Sequence, residues 1–188
     1  MTRFPFLKNI EEAWRSVIQE DYDTHRVLSE RTLQAALWTK LKGHAKSQFI
    51  FIEPRVYFPA DQNGKRRYVV PDIVVCREKS VIAFIELKFA PRGMPDVRND
   101  IDKLLELYVT KSQIQLVLPR FLGIALKEHT YRITEQTQFV LGCISNRPPR
   151  GLSSFLEMVK ETKLKGRACV LLAETTKDQA CVVSCARV

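Results

Sequence analysis

The sequence predicts an α/β protein with a mixed central β-sheet flanked by helices. Three short apolar runs, at about 48–58, 67–76 and 81–89, are rich in β-branched and aromatic residues and lack a helical period. Helical patterns lie on both sides of these runs, at 29–41 and 96–108. Apolar strands enclosed by amphipathic helices are typical of layered α/β architectures.

Two helices are predicted before the strands. The first covers residues 5–20, and the second is the segment SERTLQAALWTKL at 29–41. In the second helix Leu33, Leu37 and Leu41 recur every four residues, which places them on one face. This face is expected to pack on the sheet.

The strands at 67–76 and 81–89 are predicted to pair as an antiparallel hairpin. The polar residues 77–80 between them are enough for a tight turn. The strand at 48–58 comes earlier and is followed by the turn sequence DQNGK at 61–65. Three consecutive strands therefore precede the helix at 96–108.

The second half of the chain is less regular. Helix and strand patterns compete in residues 112–134, and both assignments stay open. QFVLGCIS at 138–145 is predicted to be a buried strand. An amphipathic helix is predicted at 152–164, and two closing strands at 167–174 and 180–188.

A single domain is predicted for residues 1–188, since this length suits one domain with a sizeable core. Its core, at about 24–145, has the element order αβββαβ, and residues 152–188 form a C-terminal extension. No segment has the pattern of a signal peptide or a membrane span, so a cytoplasmic location and no membrane partner are expected. Five cysteines, an odd number, are expected to be reduced core thiols.

Two carboxylates and a lysine interrupt the predicted hairpin. Asp72 begins its strand (VVPDIVVC), whereas Glu86 and Lys88 lie near the end of the next (VIAFIELKF). Strand side chains alternate between faces, so Glu86 and Lys88 share one face. A hairpin folded about 77–80 brings Asp72 roughly opposite Glu86, but a shift of one residue would turn Asp72 to the other face.

Charged groups in apolar strands are costly to bury without partners, and a bound cation supplies one. Mg²⁺ prefers oxygen ligands and is typically held by one or two carboxylates together with substrate phosphate. Such a site suits phosphodiester hydrolysis, in which the lysine orients or deprotonates the water or neutralises developing charge. The alternative is a structural hairpin, with Asp72 and Lys88 as edge charges and Glu86 in an ion pair.

Pro71, Asp72, Glu86 and Lys88 resemble the signature of the PD-(D/E)xK nuclease superfamily. The resemblance implies a restriction-endonuclease-like fold with the site at one end of the sheet. It implies Mg²⁺, replaceable by Mn²⁺, held by Asp72, Glu86 and the backbone carbonyl of Leu87, with Lys88 acting on the attacking water. It also favours DNA over RNA as substrate, and endonucleolytic cleavage.

Four further residues are candidates for the site. In the superfamily a glutamate of the first core helix often completes the acidic cluster, and Glu30 matches it, although a helix-start carboxylate also favours the helix dipole. Asp100 and Lys103 suit the polar positions of the helix after the second carboxylate, with a solvated face as the alternative. Glu53, inside an apolar run, either faces the cluster or pairs with an arginine.

The net charge of +9 favours a polyanionic partner. Predicted phosphate contacts are Lys65, Arg66, Arg67, Arg147 and Arg150. Cutting two strands needs two sites, so either a homodimer or a partner subunit is expected. Two other functions stay open: a catalytically idle nucleic-acid- or partner-binding module, and a nuclease subunit active only within a larger defence, repair or transposition complex.

Overall fold

A mixed sheet forms the centre of the computed structural model, which describes residues 5–44, 48–60, 62–122, 125–161, 166–175 and 181–187. The helices are α1 (Pro5–Ser16), continued by a π-helical segment (Val17–Tyr22), α2 (Glu30–His44), α3 (Arg98–Val109) and α4 (Leu152–Glu161). The strands are β1 (Gln48–Ile52), β2 (Val56–Tyr57), β3 (Tyr68–Val69), β4 (Ile73–Arg77), β5 (Ser80–Ala90), β6 (Gln115–Leu122), β7 (Ala125–Ser145), β8 (Ala168–Thr175) and β9 (Cys181–Arg187).

The main sheet has the strand order β1-β4-β5-β7-β8-β9, and β6 pairs with the first half of β7. β5, β7 and β8 run parallel to one another, whereas β1, β4, β6 and β9 pair antiparallel with their neighbours. The mixed α/β class predicted from the sequence is therefore confirmed. None of the helices within the described ranges is both long and apolar enough to cross a membrane.

The two faces of the sheet bury separate apolar clusters. On one face Leu33 and Leu37 of α2 pack with Ile85 of β5, together with residues of α1. On the other face Phe84 of β5 packs with Leu104 of α3. Side chains of β5 point alternately to the two faces, with Phe84 on the α3 side and Ile85 on the α2 side. Glu86 and Lys88 therefore lie on the α3 side.

The hairpin of β4 and β5 turns at residues 78–79, within the predicted turn. Its register changes between Val75 and Cys76, where Ile82 of β5 has no partner. Beyond this bulge Ile73 pairs with Ile85, and the same register continued places Asp72 opposite Glu86. Without the extra residue Asp72 would come opposite Ile85 and face the α2 side. The bulge thus sets the face on which Asp72 lies.

Two predicted strands are shorter than expected. The strand predicted at 48–58 ends at Ile52, because Glu53 takes a left-handed backbone conformation (φ 48°) and Pro54 has no N–H for a ladder. The strand predicted at 67–76 is interrupted before Asp72, where Pro71 again lacks a donor. The outer parts, β2 and β3, pair with each other as a separate two-stranded sheet.

The predicted order αβββαβ is not found in that simple form. β2 and β3 are inserted between β1 and β4, and β6 is inserted between α3 and the β7 segment that continues the central sheet. The region 112–134, left open from the sequence, forms a β6–β7 hairpin. Burial alternates at Tyr131, Arg132 and Ile133, as expected for a strand with one solvated face. Residues 137–145 of β7 are buried throughout, and the register of β7 on β5 shifts between Ile133 and Gln138.

Gly142 of β7 packs closely against Trp14 of α1 and Leu87 of β5. A methyl group there would be 2.8 Å from Cδ2 of Leu87 and 3.1 Å from the ring of Trp14, and both side chains are fully buried. We expect Gly142→Ala to lower the free energy of unfolding by about 1–3 kcal/mol through overpacking. Thermal unfolding followed by circular dichroism measures this.

Gly43 of α2 is the matched control, since a methyl group there meets nothing within 4 Å. Gly43→Ala is expected to be neutral or to stabilise by up to about 1 kcal/mol, because alanine favours a helix. Equal melting temperatures for the two variants would show that the space around Gly142 is not limiting.

Candidate active site

Charged side chains from four elements converge at one end of the sheet. Asp72 directly precedes β4, while Glu86 and Lys88 lie toward the end of β5. α3 contributes Asp100 and Lys103, one turn apart on the face toward the sheet. α2 contributes its first residue, Glu30. The structure therefore brings together Asp72, Glu86 and Lys88 of the predicted motif and three of the four further candidates. We call these six residues the carboxylate cluster.

Asp72 is held by the backbone around it. Its Oδ2 accepts a hydrogen bond of 2.6 Å from the N–H of Leu87 on the neighbouring strand. Its own carbonyl accepts from Nε2 of Gln34 at 2.8 Å and from the N–H of Glu53 at 3.0 Å. Burial raises the pKa of Asp72 to about 6, against the lowering effect of the Leu87 hydrogen bond, and the Glu30 carboxylate adds to the rise.

Glu86 is almost completely buried, with 1% of its surface exposed. Its Oε2 accepts a hydrogen bond of 2.7 Å from Nζ of Lys103, whereas its Oε1 is buried without a hydrogen-bond partner among the described residues. Burial raises the pKa of Glu86 to about 8, and the nearby Asp72 carboxylate raises it further against the opposing effect of Lys103. Burial and Asp72 thus outweigh the positive charge of Lys103, and the folded protein favours the protonated form of Glu86.

Lys88 bridges two helices through its ammonium group. Its Nζ lies 3.3 Å from Oδ2 of Asp100 on α3 and 3.7 Å from Oε1 of Glu30 on α2. Burial lowers the pKa of Lys88, but Asp100 and Glu30 outweigh it, so the pKa is raised above its ordinary value. Lys88 is therefore a cation at neutral pH.

Lys103 lies between the carboxylates of Glu86 and Asp100. Besides Glu86, its Nζ contacts Asp100 at 3.7 Å and the carbonyl of Val70 at 3.4 Å. The carboxylate cluster thus contains four carboxyl groups and two lysines. At neutral pH the raised pKa of Glu86 favours its protonated form, and its ionisation would leave the cluster with two more negative than positive charges. A divalent cation would balance this excess.

A divalent cation also fits the donor atoms. Asp72 and Glu86 offer oxygens from adjacent strands, and the orphaned Oε1 of Glu86 needs a partner that the described part of the chain does not provide. No three of the described His, Cys, Asp and Glu side chains converge closely enough to hold a metal by themselves. The remaining ligands would be water, a backbone carbonyl and substrate, which is the usual manner of Mg²⁺.

Comparisons with known proteins reveal only distant likeness. No protein-family model matches the chain, and no curated protein matches it. Among solved structures it is similar to P. aeruginosa NucC in its cAAA-bound form, with 10% identity, a TM-score of 0.43, and coverage of 99% of this chain and 85% of NucC. It is also similar to cAAA-bound E. coli NucC, with 11% identity, a TM-score of 0.39, and coverage of 100% and 84%. Similarity at this level says nothing about activity.

Gln34 is a site residue that the sequence analysis missed. It lies one helical turn after Glu30 and is 5% exposed, and its side chain fixes the carbonyl of Asp72. A glutamine on the apolar face of α2, at the i+4 position from a candidate carboxylate, was the available signal. Amides at such positions need buried partners, which points to a backbone group of the sheet.

Glu53 does not reach the carboxylate cluster with its side chain in the described contacts. It is exposed at the end of β1, and only its backbone N–H touches the site, through the Asp72 carbonyl. Its left-handed conformation (φ 48°) turns the chain from β1 toward β2. A site role for its carboxylate stays a prediction.

The predicted phosphate-contacting residues lie in two loops. Arg67, at the end of the β2–β3 loop, forms an ion pair with Glu106 of α3, and its guanidinium lies 4.2 Å from the ring centroid of Phe58. Lys65 and Arg66 of the same loop are exposed. Arg67 thus fastens the loop to α3, and contact of all three residues with phosphate stays a prediction.

Arg147 and Arg150 are exposed in the loop that follows β7. Backbone hydrogen bonds tie this loop to the segment before α3: the N–H of Arg150 donates to Pro95 at 2.9 Å, and that of Val97 donates to Arg150 at 3.2 Å. The loop therefore lies beside the start of the helix that carries Asp100. Its contact with phosphate also stays a prediction.

A cavity of about 800 Å³ lies beside the cluster rather than over it. Phe89, directly after Lys88, and Leu28, two residues before Glu30, belong to its walls, but none of the six cluster residues does. The other lining residues are Tyr22, Asp23, His25, Val27, Pro91, Arg92, Asn146 and Thr175. The carboxylates thus lie outside this cavity.

Three of the five cysteines, Cys76, Cys143 and Cys169, are buried thiols. Burial raises the pKa of Cys143 to about 11, so this thiol stays protonated and unreactive at neutral pH. The side chains of Cys181 and Cys185 lie outside the described part of the structure.

Proposed function

We propose that the protein is a metal-dependent nuclease with a restriction-endonuclease-like core that hydrolyses phosphodiester bonds in DNA. The observation that carries the proposal is the pair of buried carboxylates on adjacent strands, Asp72 and Glu86, with one orphaned oxygen and a lysine two residues further on. A bound cation would give this buried oxygen a partner. The geometry fits a cation and the anionic substrate that comes with it.

Asp72 and Glu86 would hold Mg²⁺, or Mn²⁺ in its place, with the carbonyl of Leu87 as a further ligand. When bound, the metal supplies a Lewis acid for the phosphoryl group and lowers the pKa of a coordinated water. Leu87 and Gln34 keep Asp72 in place through hydrogen bonds to its carboxylate and carbonyl. Such hydrogen bonds orient ligands and tune their basicity.

Lys88 acts as a cation in this proposal. Its raised pKa keeps the ammonium protonated at neutral pH, so it stabilises negative charge that develops on the phosphoryl oxygens and orients the water by hydrogen bonding. Glu30 and Asp100 position this ammonium from two sides. Lys103 holds Glu86 in its rotamer and supplies a second positive charge near the substrate.

The net charge of +9 supports a nucleic-acid substrate, because it favours a polyanion at long range. DNA rather than RNA, and endonucleolytic rather than exonucleolytic cleavage, follow from the superfamily resemblance alone. Cleavage of both strands of a duplex requires a second site, which a homodimer or a partner subunit would provide.

A binding module without catalysis is the second candidate function. The observation that favours it is the 2.7 Å contact between Lys103 and Glu86, which already gives one carboxylate oxygen a charged partner. In this case the carboxylate cluster would serve only to hold α3 on the sheet. A nuclease subunit that needs a partner for activity would share the intact site but cut only in the complex.

Cleavage of circular and linear DNA, single- and double-stranded, with Mg²⁺, Mn²⁺ or EDTA, tests the proposed activity. Metal-dependent cutting would establish the nuclease, and the product pattern would separate endonucleolytic from exonucleolytic action. Folded protein that cuts no substrate under any of these conditions would favour the binding module or the partner-activated subunit. Parallel assays with single- and double-stranded RNA test the preference for DNA.

Lys88→Met should lower the cleavage rate by about a hundredfold or more while DNA binding changes little, because the lost ammonium acts mainly in the transition state. Methionine keeps the apolar stem that packs along β5. Lys79→Met is the matched control, since Lys79 is exposed in the turn at the other end of this hairpin. Unfolding of the Lys88 variant would point instead to a structural role.

A further inference from the structure

The outer face of the β2–β3 hairpin exposes two aromatic rings. Tyr57 and Tyr68 are cross-strand partners, 43% and 47% exposed, with ring centroids 5.5 Å apart and ring planes inclined by 54°. The inner residues of the hairpin, Val56, Phe58 and Val69, instead pack into the core on the α3 side. The hairpin is therefore firmly seated while its tyrosines face outward.

Positive charge surrounds these rings. The guanidinium of Arg55 lies 5.0 Å from the ring centroid of Tyr68. The loop that joins the two strands carries the exposed Lys65 and Arg66. We call Arg55, Tyr57 and Tyr68 the aromatic platform. Aromatic faces beside cations are the combination that binds single-stranded nucleic acid.

The aromatic platform lies close to the carboxylate cluster along the chain, and its hairpin is tied to α3. Arg67 anchors the hairpin through Glu106 of α3, and the N–H of Phe58 donates to the carbonyl of Arg67 at 2.9 Å. Tyr68 precedes Asp72 by four residues, which limits their Cα separation to about 14 Å. Neighbouring nucleotides of one strand can therefore contact both the aromatic platform and the cluster.

We propose that the aromatic platform stacks unpaired bases of the DNA strand whose phosphate lies at Asp72 and Glu86. The proposal rests on the nuclease function and names its substrate class: DNA with unpaired nucleotides next to the cleaved bond, as in single strands, flaps and frayed ends. Duplex DNA keeps its bases stacked inside the helix and has no free π-face to offer along its length. A tyrosine pair that serves only to stabilise a short hairpin would give no such preference.

Fluorescence anisotropy of the full chain with labelled DNA tests the proposal. The Asp72→Asn background prevents cleavage, and a single-stranded oligonucleotide, a blunt duplex and a duplex with a single-stranded overhang are compared. Replacing Tyr57 and Tyr68 together with leucine should weaken binding of the single strand and the overhang by about tenfold or more. Affinity for the blunt duplex should change by less than about twofold.

Two control variants separate stacking from folding. Replacing both tyrosines with phenylalanine keeps the rings and should retain most of the affinity for single strands. Phe49→Leu removes an exposed aromatic ring of β1. Phe49 is the strand partner of Cys76, at the end of β4 away from Asp72, so this change should not affect DNA binding. Melting temperatures of all variants show whether the hairpin change disturbs the core.

The outcomes distinguish this proposal from the nuclease function. Equal losses for single strands and duplex, no loss at all, or no binding of single strands by the parent protein would each overturn the aromatic platform. If the wild type cuts DNA and the tyrosine variants bind normally, the nuclease stands and the aromatic platform fails. If no DNA is cut but single-strand binding depends on the tyrosines, the aromatic platform stands and catalysis fails. Tyrosine-dependent binding of single-stranded RNA with none of DNA would also overturn it.

Discussion

Replacement of Asp72 with asparagine should lower the rate of metal-dependent DNA cleavage by about a thousandfold or more. Removing one charged ligand weakens metal binding and reduces the metal's stabilisation of the transition state by several kcal/mol. Each 1.36 kcal/mol corresponds to about a tenfold change in rate. The asparagine side chain can still accept the hydrogen bond from Leu87, which holds the carboxylate at 2.6 Å in the wild type. The fold should therefore be unchanged.

The measurement is initial cleavage rate against Mg²⁺ concentration, with DNA affinity and melting temperature recorded for the same preparations. Asp102→Asn is the matched control, because Asp102 is exposed on α3, the helix that carries Asp100 and Lys103. It should cut at the wild-type rate. Cleavage by Asp72→Asn within tenfold of the wild type would rule out Asp72 as a metal ligand.

Replacement of Glu86 with glutamine should abolish cleavage and yet stabilise the metal-free protein. The wild-type carboxylate is buried beside Asp72 with one unsatisfied oxygen, a cost that the neutral amide avoids. We expect the free energy of unfolding at pH 8 to rise by about 2 kcal/mol or more. Functional sites commonly lower stability in this way.

The increase in the free energy of unfolding caused by Glu86→Gln should depend on pH. Burial raises the pKa of Glu86 from its ordinary value of 4.5 to about 8, so the folded protein holds this proton more tightly than the unfolded chain. The carboxyl therefore costs nothing below about pH 4.5, destabilises the fold increasingly as the pH rises toward 8, and reaches a constant penalty above it. The difference in melting temperature between variant and wild type should widen over this window.

Mg²⁺ provides an independent readout for Glu86. A cation that binds only the folded state should raise the melting temperature of the wild type and leave that of Glu86→Gln unchanged. Glu78→Gln is the matched control, because Glu78 is exposed in the turn of the same hairpin and should behave like the wild type in both experiments. A metal-free Glu86→Gln protein that is less stable than the wild type at pH 8 would contradict the buried-charge argument.

Much of the carboxylate cluster was predictable from local sequence. Alternation along VIAFIELKF requires that Glu86 and Lys88 share a face, and the four polar residues at 77–80 require a hairpin with the strand that follows Asp72. The helical period of α2 places Glu30 on the face of Leu33 and Leu37, whereas for Asp100 and Lys103 the sequence left a solvated face of α3 as the alternative. Each of these inferences involves residues within one element or one turn.

The tertiary structure decided what depends on pairing between elements. The bulge at Ile82 changes the register by one residue and so selects the face of Asp72, a choice that the strand sequences leave open because both faces of this sheet are buried. The contacts of Gln34 with Asp72 and of Lys103 with Glu86 depend likewise on how helices pack across the sheet. Local periodicity thus determined which residues share a face, whereas long-range packing determined which faces meet.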